Sequence, residues 1–269
     1  MGISGFSQTK PGSEDAKIPK FDVVSIRPSN GARPAGGSKI LPDGYQAIGM
    51  TLLNTIALAY APAPYFNYFD HFKGYPSWAF SDDYDFQAKL APEDVAQWRK
   101  LNQSIMQTPN LLQKMLRQVL ADRCNLRIHT ADTKIDGYAL RIRAKSPALV
   151  EDSTLPASGT VMELTDGAKA VYSVQDGVRT YTFYNTSMPV LATFLTVFTQ
   201  HPVEDRTGLQ GRYKFVLHRL TPPPSDQGME PQSEMPVPWD LGALGMKVDS
   251  QKVQSTIWFV DNIERPSSN

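Results

Sequence analysis

The sequence predicts an α+β fold made of two similar halves, and three observations point to it. Short runs of β-branched and alternating apolar residues are punctuated by Gly, Pro and Asn, as strands are. Other stretches space their apolar residues at helical intervals, and the order of these elements recurs after a Pro/Ser/Gly-rich segment. With 269 residues, 41% of them hydrophobic and 20% charged, the chain has enough apolar mass for two modest cores.

Residues 1–17 are polar, read as disordered, and lack the apolar stretch of a secretory signal; export would need that signal to have been removed already. The first strand is expected at 21–27, where Val23, Val24 and Ile26 precede Pro28-Ser29-Asn30. After a Gly/Pro-rich loop at 31–37, Leu41-Pro42-Asp43-Gly44 reads as a turn into a short strand at 45–48. A helix at 51–60 would bury Leu53, Ile56, Ala57 and Tyr60.

Residues 84–90 return as a strand, and Pro92-Glu93-Asp94 suits a helix start, where proline and acids meet free N–H groups. Thr108-Pro109 opens a further helix whose Leu111, Leu112, Met115, Leu116, Val119 and Leu120 form a stripe two residues wide. Residues 126–129 and 137–143 are expected as a hairpin joined across 132–136, followed by the 148–159 linker. Beyond it come strands near 161–164, 170–173 and 179–184, a helix at 188–199 and a strand at 213–220. A Pro-rich loop at 221–238 then leads to a closing hairpin of 246–249 and 255–263.

The halves, 18–147 and 160–269, align element by element. Leu53, Thr55 and Ile56 match Leu191, Thr193 and Phe194, and Tyr84-Asp85-Phe86 matches Tyr213-Lys214-Phe215. Leu126-Arg127-Ile128 matches Met246-Lys247-Val248, and the same offset sets Tyr138-Ala139-Leu140 on Trp258-Phe259-Val260. Each copy of a duplicated unit must bury the same faces, so coincident apolar positions are what duplication predicts.

Composition narrows function. Lys plus Arg and Asp plus Glu both number 27, which leaves no positive field to gather nucleic acid. No apolar run approaches the roughly 20 residues of a transmembrane helix. A single cysteine, Cys124, excludes an internal disulfide; it follows an apolar helical run, where a buried inert thiol is expected over a reactive one.

Catalytic signatures are equally sparse. The sequence has no Gly-x-Ser-x-Gly elbow, His-Glu-x-x-His, Gly-x-Gly-x-x-Gly or phosphate loop, so no cofactor is indicated. His71, His129, His201 and His218 stand singly. Asp82, Asp83 and Asp85 crowd a strand start, and such oxygens suit calcium, although a solvated acidic turn explains them as well. After His201, the segment Glu204-Asp205-Arg206-Thr207-Gly208 reads as a side-chain-stapled turn in preference to an acid–base pair.

The densest unusual feature is the aromatic connection between residues 62 and 80. Tyr65, Phe66, Tyr68, Phe72, Tyr75 and Trp78 there could contact a small molecule or a protein partner, or pack the two halves together. A binding module is the first functional expectation. The alternative is a calcium-assisted hydrolase of a small ester or lactone, such as an acyl-homoserine lactone, using the three aspartates with His71.

Several motifs carry a family resemblance. They include Phe21-Asp22-Val23-Val24-Ser25-Ile26-Arg27-Pro28-Ser29, Gly74-Tyr75-Pro76-Ser77-Trp78 and Tyr84-Asp85-Phe86-Gln87-Ala88-Lys89. Leu120-Ala121-Asp122-Arg123, the run from Asp205-Arg206-Thr207-Gly208 to Tyr213-Lys214-Phe215, and Val260-Asp261-Asn262-Ile263-Glu264-Arg265-Pro266 continue it. On these the chain resembles the soil-associated secreted protein family expanded in acidobacteria, a domain of unknown function. The resemblance implies export to the periplasm or beyond the cell and brings no catalytic residues. Cys124 stands where that family usually has an aromatic residue, and the C-terminal half lacks its longer helix before Leu244. The helix-then-hairpin units are also similar to the N-terminal domains of secretins and TonB-dependent receptors, which bind protein partners.

Overall fold

The computed structural model describes residues 19–30, 37–62, 68–101, 109–143, 147, 149–156, 161–175, 178–219 and 239–267. The N-terminal half runs β1 (Phe21–Pro28), β2 (Gly37–Leu41), β3 (Gly44–Thr51), α1 (Leu52–Tyr60), β4 (Phe72–Lys73) and α2 (Trp78–Ser81). It continues with β5 (Asp83–Leu90), α3 (Val95–Trp98), α4 (Asn110–Cys124) and β6 (Arg127–Ile142). The C-terminal half runs β7 (Val150–Glu151), β8 (Val161–Glu163), β9 (Lys169–Gln175), β10 (Val178–Thr186), α5 (Met188–Thr199), β11 (Val203–Asp205), β12 (Tyr213–Arg219) and β13 (Met246–Asn262). This is the expected α+β architecture.

Two antiparallel sheets repeat one plan. The first has the order β1-β5-β3-β2, and the second, β7-β12-β10-β9-β8, repeats it with one strand added. Opposite Ala47 lies Phe86, and opposite Phe183 lies Phe215, which confirms the match of Tyr84-Asp85-Phe86 with Tyr213-Lys214-Phe215. In both ladders the register then slips, between Ala47 and Met50 and between Phe183 and Thr186. The slip carries a left-handed residue in each copy, Gly49 (φ 58°) and Asn185 (φ 50°), residue types that tolerate this conformation.

From that bulge the chain turns into α1 and α5, whose N-caps are Thr51 and Ser187. Leu52 and Met188, both buried, are therefore equivalent. The helices match two residues away from the expected pairing: Thr55, not Leu53, corresponds to Leu191. Apolar periodicity alone let α1 slide against α5, whereas the strand ladder fixes it.

The largest departure from expectation lies in β6 and β13. Neither is a hairpin; each is one continuous strand, and they pair antiparallel over nearly their whole length. The middle of each is polar, with Asp132, Lys134 and Asp136 on β6 and Ser250, Lys252 and Gln254 on β13, all exposed. One face of the ribbon is covered there, at Val253 and its partner Ile135, but the Thr133, Gln251 and Ser255 beside them break the apolar alternation that marks a strand, so each centre reads as a turn.

This ribbon relates the halves by a pseudo-two-fold axis. Tyr138 lies opposite Ser250 and Trp258 opposite Thr130, and midway between them Lys134 faces Gln254 on the axis. Short strands complete the sheet in the order β11-β6-β13-β4. Both are exchanged: β4 of the first half runs parallel to β13 with Phe72 beside Trp258, and β11 of the second runs parallel to β6 with Val203 beside Tyr138. The predicted equivalence of Tyr138 and Trp258 is thus the geometry of the swap. Gly137 permits the β11 approach, since a Cβ there would lie 2.6 Å from the Pro202 carbonyl oxygen.

Each core consequently draws on the other half. The first gathers Ile26, Phe86, Leu53, Ile56, Trp98 and Leu116 with Trp258 and Val260 from β13. The second gathers Phe183, Phe194, Leu217 and Trp239 with Leu140 from β6. Inside the expected 148–159 linker, β7 reproduces only the end of β1, because Pro147, lacking an N–H, precedes it.

Helix α4 is tied to α1 through the latter's last carbonyls. The Gln113 amide donates to Ala61 O at 2.8 Å, and Arg117 Nε donates to Ala59 O at 2.7 Å. Asn125, left-handed at φ 46°, ends α4 just as Gly245 (φ 71°) precedes β13. Burial pushes the Cys124 thiol up to about 12, so it is protonated and shielded. We expect the native protein to take up no maleimide at mildly alkaline pH and one equivalent in guanidinium; rapid native labelling would contradict the burial.

Candidate functional site

The aromatic connection ends in a 3-10 turn, Tyr68–His71, that delivers β4 to the edge of β13. Apolar demand decides where its rings go. Phe72 is only 1% exposed and stacks on Trp258 with centroids 5.0 Å apart, which closes it off from any ligand. His71 is buried and stacked on the same indole at 6.4 Å, and that burial pushes its imidazole below the ordinary value. Tyr75 and Trp78 are half-buried against the first core. Tyr65 and Phe66 lie outside the described residues, as does the side chain of Tyr68.

What faces solvent is a smaller cluster. Phe80, 55% exposed, meets Phe69 edge-on at 6.2 Å. On the same short helix, the Trp78 ring lies 4.9 Å beneath the guanidinium of Arg265, which arrives from the C-terminal tail. Arg265 Nη1 also donates to Asp82 Oδ2 at 2.7 Å and to the Tyr84 hydroxyl at 3.1 Å. The guanidinium, helped by the Ser81 hydroxyl, holds the Asp82 carboxyl below its ordinary range.

The tail is held along its length. Glu264 N donates to Cys124 O at 2.7 Å, Ser267 N to Arg123 O at 3.0 Å, and Asn262 Nδ2 to Asn125 O at 2.9 Å. Arg265 is therefore positioned by backbone bonds before it meets its aromatic and acidic partners. A fixed arginine over a tryptophan, on the same short helix as an exposed phenylalanine, has the composition of an interface centre.

The three aspartates do not gather. Asp82 is paired with Arg265, Asp85 Oδ1 accepts the amide of Gly49 at the bulge at 2.9 Å, and the Asp83 side chain points into solvent. Among the described residues no group of three or more His, Cys, Asp or Glu side chains is placed to hold a metal. Alternate residues on a strand share a face, but Asp85 is drawn to structural work, which proximity in sequence did not reveal.

The histidines also stay apart. His129 Nδ1 lies 2.7 Å from Asp261 on the surface, with its ring stacked on Phe259 at 5.0 Å. His201 packs edge-on to Tyr138, and His218 contacts the Thr180 hydroxyl at 3.1 Å. Asp205 forms the expected turn: its Oδ1 accepts from Thr207 N and Oγ1, with Gly208 left-handed at φ 74°. Glu204 is engaged by Arg206 at 2.8 Å and by Gln251 at 3.0 Å.

A protein-family comparison matches residues 54–263 to a protein of unknown function, DUF3738. The chain belongs to this family. The DUF3738 match begins inside α1, takes in the aromatic connection, both long strands and all of the second sheet, and stops two residues before Arg265. No curated protein and no solved structure matches the chain. No helix among the described residues is long and apolar enough to cross a membrane.

Arg265, like Phe69 and Phe80, is a site residue that the sequence does not single out. Its partner Asp82 is 183 positions away, so nothing local announced the pair. The closing motif Asn262-Ile263-Glu264-Arg265-Pro266 was the available signal, since an arginine in an otherwise structural tail invites a search for its acid.

Proposed function

We propose that this DUF3738 protein is an exported binding or interaction protein, acting in the periplasm or outside the cell, whose contact surface centres on Phe80, Phe69, Trp78 and Arg265. The observation that carries the reading is that one short helix presents both the exposed Phe80 ring and a tryptophan capped by an arginine that the C-terminal tail holds in place. Exposed aromatic area next to an oriented guanidinium is what binding hot spots use, for a small molecule or for an envelope protein. Export, and the soil-associated character of the family, rest on the sequence resemblance given above.

The expected result is selective loss. Immobilised wild type, exposed to envelope and culture-fluid fractions of the source organism, retains a discrete partner or metabolite that Phe80→Ser and Arg265→Ala do not. Retention unchanged in both variants would reject this surface, and a chain found wholly in the cytoplasm on fractionation would reject export. No observation favours the calcium-assisted hydrolase of an ester or lactone, because Asp82 is paired with Arg265, Asp85 accepts the Gly49 amide and Asp83 points into solvent.

A further inference from the structure

The start of β1 and the last turns of α4 border a cavity of about 190 Å³. Its floor is apolar, made by Val24 from the strand with Met115 and Val119 from the helix, the last two buried. Its rim is charged, and each wall carries one charge of either sign. Lys20 and Asp22 stand on the strand side, Asp122 and Arg123 on the helix side.

Local structure explains why these groups meet. On α4, Met115, Val119, Asp122 and Arg123 recur at helical spacing and share one face. On β1 the ladder with β5 slips between Phe21 and Val23, which leaves Asp22 out of the pairing. A bulge re-aims the side chain it carries, here into the cavity beside the helix.

The four charges make no ion pair, among themselves or with another described residue. Arg123 alone is tethered, its Nη2 donating to Ser267 O at 3.3 Å, and its Nε is buried without a hydrogen-bond partner. Opposite charges that border one hollow and stay apart leave both signs open to a bound molecule. Two acids balance two bases, so the site favours neither a plain anion nor a plain cation. A larger hollow of about 400 Å³ on the other side of segment 19–22 sets Asp22, Glu93 and Asp94 against Lys20 alone and lacks this balance.

We propose that the smaller cavity binds a free α-amino acid with an apolar side chain. The carboxylate lies between Lys20 and Arg123, where one oxygen supplies the partner that Arg123 Nε lacks. The ammonium group lies between Asp22 and Asp122, and the side chain rests on Val24, Met115 and Val119. The volume is that of about six water molecules, room for an amino acid the size of leucine. Lys20, Asp22 and Asp122 are exposed, so solvent screens them and the affinity is modest, with Kd of roughly 0.1–1 mM. In the second half β7 keeps two residues of the strand, and a four-residue turn, Leu241–Leu244, stands in the place of α4, so one site per chain is expected.

Isothermal titration calorimetry of the full chain with L-leucine tests the proposal. One equivalent binds, while N-acetyl-L-leucine, which has no ammonium group, and L-leucinamide, which has no carboxylate, each bind about tenfold more weakly or worse. Asp22→Asn and Lys20→Gln, both at the surface, weaken L-leucine binding by a similar factor, and circular dichroism confirms that each variant is folded. Phe80→Ser, on the contact surface proposed above, leaves it unchanged, so the two readings fail separately. No binding of L-leucine up to about 10 mM, undiminished binding of either blocked derivative, affinity indifferent to Asp22→Asn and Lys20→Gln, or loss of binding in Phe80→Ser overturns the proposal.

Discussion

A chain shortened to end at Asp249 is expected to lose its N-terminal core, although every residue removed lies at the opposite end of the sequence. The deletion takes Trp258 and Val260 out of that core, strips β4 of the β13 strand it pairs with and removes the tail bonds to Arg123, Cys124 and Asn125. It also exposes the edge of β6 along most of its length. An unfilled core of this size is not recovered by relaxation, and unpaired strand edges invite aggregation. Hydrogen exchange at α1 and β5 is the measurement: protection there should vanish. Native-like protection in the shortened chain would show that the N-terminal half stands alone.

Trp258→Ala should reproduce part of this effect with one side chain. The indole is buried between Phe72 and His71, paired to one by register and stacked on both. Removing a buried tryptophan costs about 3–5 kcal/mol, and for a domain of this size each kcal/mol lowers Tm by roughly 2–4 °C. A fall of about 10 °C is therefore expected in a thermal melt. A variant melting within a degree or two of wild type would remove Trp258 from the first core.

Much of the fold was legible because burial leaves a periodic trace. Helix α5 falls at the positions its Val190, Leu191, Phe194, Leu195 and Phe198 spacing predicts, and the two copies were recognisable from Tyr138 and Trp258. What escaped was whatever lacked such a trace. The centre of β6 carries a single apolar side chain, Ile135, among Asp132, Thr133, Lys134 and Asp136, too little to show a period, so residues 132–136 read as a turn. β4 and β11, of two and three residues, are too short to show a period, and their pairing partners lie in the other half. At the site, the aromatic connection was evident as a cluster, but composition could not tell Phe72, which fills a core, from Phe80, which faces water. That distinction depends on where β13 runs, and β13 is far away in sequence.

The exchange of β4 and β11 also bears on how the molecule is made. Because the last long strand completes the first core, the contacts that stabilise the opening residues span almost the entire polypeptide, a build with high contact order and slow folding. The half that leaves the ribosome first must wait, incompletely formed, until the other has been synthesised. Such a chain reaches its native state after translation, as one cooperative unit and not as two successive domains.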